Sequence, residues 1–228
     1  MSVTKHAMKV NRYIGASTDT KPTTEGSSDK LVALPIGSTF YEYDTGLMYI
    51  TYDGTSWACK DLVELGIHKS VSVTKILVGG ACSAEDVLSE SISAGTYWTF
   101  AAIARTNGGK GLIIKAQAIC ETTALTPRLT LFLFNATPTC AKNDNVANTA
   151  PVNADVSKYV GKVDFPAMED LGTGASSTVA TPNTYGNLPL AFECASDADD
   201  LIGVLVARDA VTPGLLDDMT IILTALQS

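Results

Sequence analysis

Ser38-Thr-Phe-Tyr-Glu-Tyr43, Asp44-Thr-Gly46, Leu47-Met-Tyr-Ile-Thr-Tyr52, Asp53-Gly54 and Thr55-Ser-Trp-Ala-Cys-Lys60 follow one another without interruption, and this stretch decides the fold class. Three short runs rich in aromatic and β-branched residues are separated by two turn signals. Asp53-Gly54 predicts a two-residue hairpin loop of type I′, which needs positive φ at both central positions. Asp44-Thr45-Gly46 fits a three-residue loop with glycine in the left-handed region. The product is a small antiparallel meander. Period two puts Phe40 and Glu42 on one face and Tyr41 and Tyr43 on the other, so both faces carry aromatic side chains. A meander this small is marginal alone, and something is expected to cover it.

Upstream, residues 1–37 read as an extended arm. Val10-Asn-Arg-Tyr-Ile14 offers one short strand. Gly15 to Lys30 is dominated by Ser, Thr, Gly, Lys and Asp around Pro22, too little apolar surface to order itself. Downstream, Lys60 to Lys75 reads as a polar connector with an apolar beat at Leu62, Val63, Leu65 and Ile67, room for one helical turn. The segment 38–75 is therefore meander plus connector, and 76–228 a separate domain.

In that domain the candidate strands are Lys75–Val78, Ala94–Arg105, Gly111–Glu121, Arg128–Phe134, Gly161–Phe165, Leu188–Cys194, Leu201–Arg208 and Met219–Leu226. Leu129, Leu131 and Leu133 alternate with Thr130, Phe132 and Phe134. Leu201-Ile-Gly-Val-Leu-Val-Ala207 is nearly continuous, as for a strand covered on both faces. Short strands at this spacing, broken by Gly, Pro and Asn, predict an antiparallel β-sandwich of jelly-roll-like type. The whole chain is thus expected to be all-β: an extended arm, a meander and a sandwich. Ser83-Ala-Glu-Asp86 matches a capping box, but the β-branched and aromatic neighbours after it favour strand or loop. The connections Asn135–Ser157 and Pro166–Asn187 are long for a compact domain and point to function or to a partner lying against them.

Composition narrows the function. Of 228 residues, 18% are charged and 46% hydrophobic, a low charge content that suits strands, turns and covered surfaces. The net charge of −8 lies wholly beyond residue 75, where eight Lys/Arg face sixteen Asp/Glu. Such a domain repels phosphate backbones, so no nucleic acid is expected as partner. No apolar run is long enough to span a bilayer. Five cysteines, none in a C-x-x-C pair, do not make a disulfide framework.

No constellation points to catalysis, a cofactor or a metal. His6 and His68 lie outside the sandwich, and neither G-x-S-x-G nor H-E-x-x-H occurs. Gly108-Gly-Lys-Gly111 lacks the phosphate-loop spacing and reads as a turn between strands. Asn143-Asp-Asn145 and the Asp197, Asp199, Asp200 cluster hold oxygen ligands suited to Ca²⁺. Asx residues also favour turns, which is the preferred reading. Tyr97, Trp98 and Tyr185 are the sparse aromatics that could stack on a sugar. Tyr41, Tyr43, Tyr49 and Trp57 are the candidate partner contacts, because Tyr and Trp anchor interfaces.

Pro35-Ile-Gly-Ser-Thr-Phe-Tyr-Glu-Tyr-Asp-Thr-Gly46, Met48-Tyr-Ile50 and Tyr52-Asp-Gly-Thr-Ser-Trp57 together resemble a short β module of tailed-bacteriophage virion proteins. Residues 95–226 look like a separate β-sandwich of phage structural proteins. The similar stretches are Leu131-Phe-Leu-Phe-Asn-Ala-Thr-Pro138, Asn143-Asp-Asn145, Lys158-Tyr-Val-Gly-Lys-Val-Asp-Phe165, Leu188-Pro-Leu190 and Leu201-Ile-Gly-Val-Leu-Val-Ala-Arg208. The resemblance implies a non-enzymatic virion protein with a head-decoration, head-fibre or tail-attachment role; with the unsupported arm and two-faced meander, the expectation is a capsid decoration or head-fibre protein bound through its N-terminal region to the major capsid protein or another virion component. It implies a homo-oligomer, trimer favoured, assembled in the host cytoplasm. A tail-fibre or receptor-binding, carbohydrate-binding sandwich is the alternative.

Overall fold

A computed structural model of the chain describes residues 10–26, 31–60, 67–182 and 187–227. The described residues are all-β, with one 3-10 turn at Asn153–Asp155 and no α-helix. The chain divides into two compact units, Met1–Gly66 and Ile67–Ser228.

In the first unit the expected meander is present. Strands β4 (Thr39–Glu42), β5 (Met48–Thr51) and β6 (Trp57–Cys59) pair antiparallel in sequence order. The arm is not separate from it. Strand β1 (Arg12–Gly15) pairs parallel with β4, Tyr13 opposite Phe40, giving a sheet of order β1-β4-β5-β6. Strands β2 (Thr24–Glu25) and β3 (Val32–Ala33) form a short ladder of their own. Residues 1–9, with His6, lie outside the described residues, as do 61–66, where a helical turn was expected.

The two turns differ in how well they match. Gly46 sits at φ +73, and its N–H donates to the Glu42 carbonyl at 2.8 Å. At the second turn only Gly54 has positive φ, so the expected type I′ turn is absent. The loop runs from Tyr52 to Ser56 and is built by Asp53, whose Oδ1 accepts the N–H groups of Thr55 and Ser56 at 2.8 and 2.6 Å. Gly54 is required for a different reason: a Cβ there would lie 2.3 Å from the Leu34 carbonyl oxygen.

In the second unit two sheets face each other. One has the order β11 (Tyr159–Phe165), β10 (Leu129–Phe134), β15 (Leu201–Ala207), β8 (Trp98–Phe100). The other runs β12 (Glu169–Asp170), β13 (Ser176–Ala180), β9 (Lys110–Cys120), β16 (Asp218–Gln227), β7 (Ile67–Ile76). Strand β14 (Leu190–Glu193) shares the free edge of β9 with β13. It pairs with Lys110–Ile113 while β13 pairs with Ala116–Cys120. The register irregularity of β9 against β16 falls between those two segments, and a bulge there bends the strand.

All antiparallel pairs here follow the pleat, so Leu129, Leu131, Leu133, Leu201 and Leu205 meet Ile113, Ala116, Ala118, Met219, Ile221 and Leu223 in one core. Each large side chain so buried is worth about 1.5–3 kcal/mol. The opposite faces of β10 and β15 are buried too. Phe132, Phe134, Ile202, Val204 and Val206 pack with Val87, Cys140 and Ala150 in a second core. The connection between β10 and β11 therefore covers its own sheet. Asp155, fully buried, accepts the Thr139 N–H at 2.7 Å and holds this cover in place, with Lys158 3.3 Å away.

Two other expectations shift, and the strand-or-loop reading after Ser83 holds. Residues 67–74, read as connector, continue the strand: Val71 and Val73 pack on the core while Ser70, Ser72 and Thr74 face out. The domain boundary therefore falls at Gly66/Ile67 and not at residue 75. The connection 166–187 contains β12 and β13. The capping-box match at Ser83 forms no helix, because Glu85 takes φ +70 and Val87 bridges Val206 on β15. Asp86 instead accepts the Ser83 N–H.

Gly203 lies where β15 passes the aromatic floor of the core, and a Cβ would meet Leu131 Cδ1 at 2.9 Å and Phe100 at 3.1 Å. Gly203→Ala is expected to destabilise the second unit by about 1–3 kcal/mol through overpacking, read from its denaturant unfolding midpoint.

Candidate functional site

The four-stranded sheet of the first unit has one closed and one open face. Directly paired residues share a face. Tyr13, Phe40, Tyr49 and Cys59 therefore point one way, with Glu42, Thr51 and Trp57. Arg12, Ile14, Thr39, Tyr41, Met48, Ile50 and Ala58 point the other way.

The closed face is covered by the polar segment that follows β1. Lys21 is its anchor. The ammonium lies 2.6 Å from Glu42 Oε1, 4.1 Å from the Tyr49 ring centroid and 5.1 Å from that of Phe40. Thr45 Oγ1 donates to the other Glu42 oxygen at 2.6 Å. Hydrogen bonds from Lys21 and then Thr45 hold the Glu42 carboxyl below its ordinary range, against the opposing effect of burial. Trp57 Nε1 donates to the Pro22 carbonyl at 2.6 Å, and its ring meets Tyr13 and Phe40 edge to face. Asp44 accepts the Ser17 N–H and hydroxyl, and that hydroxyl first of all lowers its pKa. A segment without apolar content is thus ordered by charge-assisted hydrogen bonds and ring contacts.

The four candidate contact residues separate accordingly. Tyr49 and Trp57 are half-buried and hold the arm. Tyr41 and Tyr43 are 40% and 63% exposed. Ile14, opposite Tyr41 in the register, is 70% exposed. Met48 and Ile50 lie beside them, half-exposed. The open face is therefore Ile14, Tyr41, Met48 and Ile50, rimmed by Arg12 and Tyr43. Sequence reasoning missed Ile14, which joins this face only because β1 pairs parallel with β4, and Lys21, which nothing in the local sequence distinguishes from other surface lysines.

In the second unit the two described sugar-stacking candidates are engaged within the fold. Trp98 is 1% exposed, with Nε1 donating to the Leu88 carbonyl at 3.2 Å. The Tyr97 hydroxyl lies 2.8 Å from the Pro138 carbonyl and 3.0 Å from that of Cys140, and burial raises its pKa. Tyr185 lies outside the described residues. Asn143 accepts the Gly95 N–H, and Asp144, buried, accepts the Ser89 N–H at 2.7 Å. These bonds tie the cover to the 89–95 loop. Among the described residues no group of three or more His, Cys, Asp and Glu is placed to hold a metal ion. Gly108-Gly-Lys-Gly111 leads into β9 through a turn closed by Gly109 N–H to Thr106 O, but the strands on either side belong to different sheets.

A groove of about 540 Å³ opens beside β10 and β11, with Leu129, Phe165, Pro166 and Ala167 making up its apolar part. Its polar part is Arg128, Thr130, Lys162, Asp164 and Arg208. Arg128 is held by Asp209 in a two-point pair, Lys162 lies 2.8 Å from Asp164, and Asn187 donates to Asp164 at 2.7 Å.

The Lys21 anchor makes the first unit sensitive to acid. Glu42 is depressed below its ordinary value of 4.5 in the folded state. Its contribution is therefore complete above the unfolded value and is lost as pH falls through the lower folded one. Lys21→Met is expected to lower the unit's melting temperature at pH 7 and to shrink this acid-linked loss. Melting of the full chain carrying Trp98→Phe, so that Trp57 is the remaining tryptophan, followed by fluorescence between pH 7 and pH 3 checks both.

No protein-family model matches this chain, and comparison with curated proteins finds none similar to it.

Proposed function

We propose that the protein is a non-enzymatic virion structural protein of a tailed bacteriophage, a capsid decoration or head-fibre protein whose N-terminal unit docks on the capsid. The open sheet face of Ile14, Tyr41, Met48 and Ile50 carries this reading. A soluble monomer rarely leaves such a contiguous apolar patch bare without a binding role. Tyrosine with neighbouring aliphatics, rimmed by an arginine, is the composition of an interface centre. The sandwich closes its own two cores, so it stands as a passive body carried by that contact. Repetition over a capsid lattice turns weak single contacts into durable attachment. The sequence resemblance to phage virion modules supports the same assignment.

A receptor-binding, glycan-contacting protein is the second reading. The groove that sets Arg128, Thr130, Lys162, Asp164 and Arg208 beside apolar Phe165 and Pro166 favours it, since fixed donors and acceptors suit sugar hydroxyls.

Cosedimentation of the full-length chain with capsids of the phage encoding it tests the first reading. Wild-type protein is expected to pellet with them. Ile14→Asp combined with Tyr41→Asp is expected to weaken this at least about tenfold, since buried interface anchors are worth about 2 kcal/mol or more. Tyr52→Asp, on the loop after β5, serves as the neutral control. Wild type that pellets with no head or tail component of the particle removes the virion assignment. Saturable binding on a glycan array, abolished by Arg128→Ala, would favour the second.

A further inference from the structure

Strand β7 is a ten-residue edge strand that contains neither Gly nor Pro and pairs with β16 in unbroken register. No described strand pairs with its other edge. Long, regular edges of this kind are templates for another strand. The direction of its free backbone groups follows from the ladder. Leu77 N–H donates to Asp217 O, so odd-numbered residues of β7 point their amides toward β16. The even set, His68, Ser70, Ser72, Thr74 and Ile76, is then the non-hydrogen-bonded set, in which side chains approach closely. The hydroxyl contacts Ser70–Thr224 at 3.0 Å and Thr74–Thr220 at 2.8 Å fit this. The backbone N–H and C=O groups of those five residues therefore face the free edge.

The sequence along that edge is self-complementary. Lys69-Ser-Val-Ser-Val-Thr-Lys75 reads the same from either end, with Thr for Ser at one position. We infer that β7 pairs antiparallel with β7 of a second copy of this chain about a two-fold axis at Ser72, joining the two sheets into one. In that register Ser72 meets Ser72, Ser70 meets Thr74 and His68 meets Ile76, each as a hydrogen-bonded pair. Val71 meets Val73 on the core side. Lys69 meets Lys75, whose charge is already engaged by Glu90 at 2.5 Å. An isologous edge contact needs a two-fold axis, which favours a dimer over the threefold assembly expected from the resemblance. The inference does not depend on the virion reading.

The test uses the full chain. Sedimentation velocity over a concentration series is expected to give a monomer–dimer equilibrium. Ser72→Pro removes a hydrogen bond donor on the free edge and leaves the β16 ladder in place. It is expected to give monomer with an unchanged far-UV spectrum. In a Cys59→Ser background, Ser72→Cys under mild oxidation is expected to form a covalent dimer, and His68→Cys, far from the axis, is not. A wild-type monomer at all concentrations overturns the inference. So does an oligomer that survives Ser72→Pro, or equal cross-linking at positions 68 and 72.

Discussion

Two adjacent strands with no polar face organise the second unit. Every residue of β10 and every residue of β15 is buried. An antiparallel sheet with one wet side needs only one layer against it, but these strands need two. The facing sheet supplies the first layer. The chain between β10 and β11, helped by Val87, supplies the second. Because this cover has little secondary structure, its backbone and buried polar groups find partners one by one. Asp155 serves Thr139, Asp144 serves Ser89 and Asn143 serves Gly95. Leaving any of these donors or acceptors unpaired would cost about 1–3 kcal/mol.

The first unit solves a different problem. It has too few apolar residues for two layers, and its sheet is closed on one side by a segment of Ser, Thr, Lys and Pro. Lys21 replaces hydrophobic cover with an ion pair beneath aromatic rings. That solution orders one face and leaves the other bare, and the bareness of Ile14 and Tyr41 is what sets the unit apart from the sandwich.

The strands were legible where apolar side chains alternate strongly. Leu129–Phe134 and Leu201–Ala207 were readable to within a residue, the second including the burial of both faces, whereas the alternation in the first did not announce that its Thr130, Phe132 and Phe134 side is covered too. The meander was readable from its turns, although the Asp53 loop takes its shape from Leu34, far away in sequence. Strand β7 was not legible, because Ser and Thr on the outer face and lysines near both ends dilute the hydrophobic signal of Val71 and Val73. Strand β13 was hidden for the same reason: Ser176 and Thr178 face inward and satisfy Leu125 N–H and Pro166 O. At the candidate site, Tyr41 and Tyr43 were found from pattern. Ile14 required knowing that the arm adds a parallel strand, and no local rule announces that.

The cover over β10 and β15 touches the sheet through few residues, Cys140 and Ala150 among them, and is fastened by a handful of polar stitches. Its outward side answers to no packing requirement. Over evolutionary time this stretch is free to drift, lengthen or acquire new surface chemistry, provided those few fixed points persist. The fold thus carries an adaptable outer coat on a tightly packed frame, so new surface chemistry can arise there without disturbing the core.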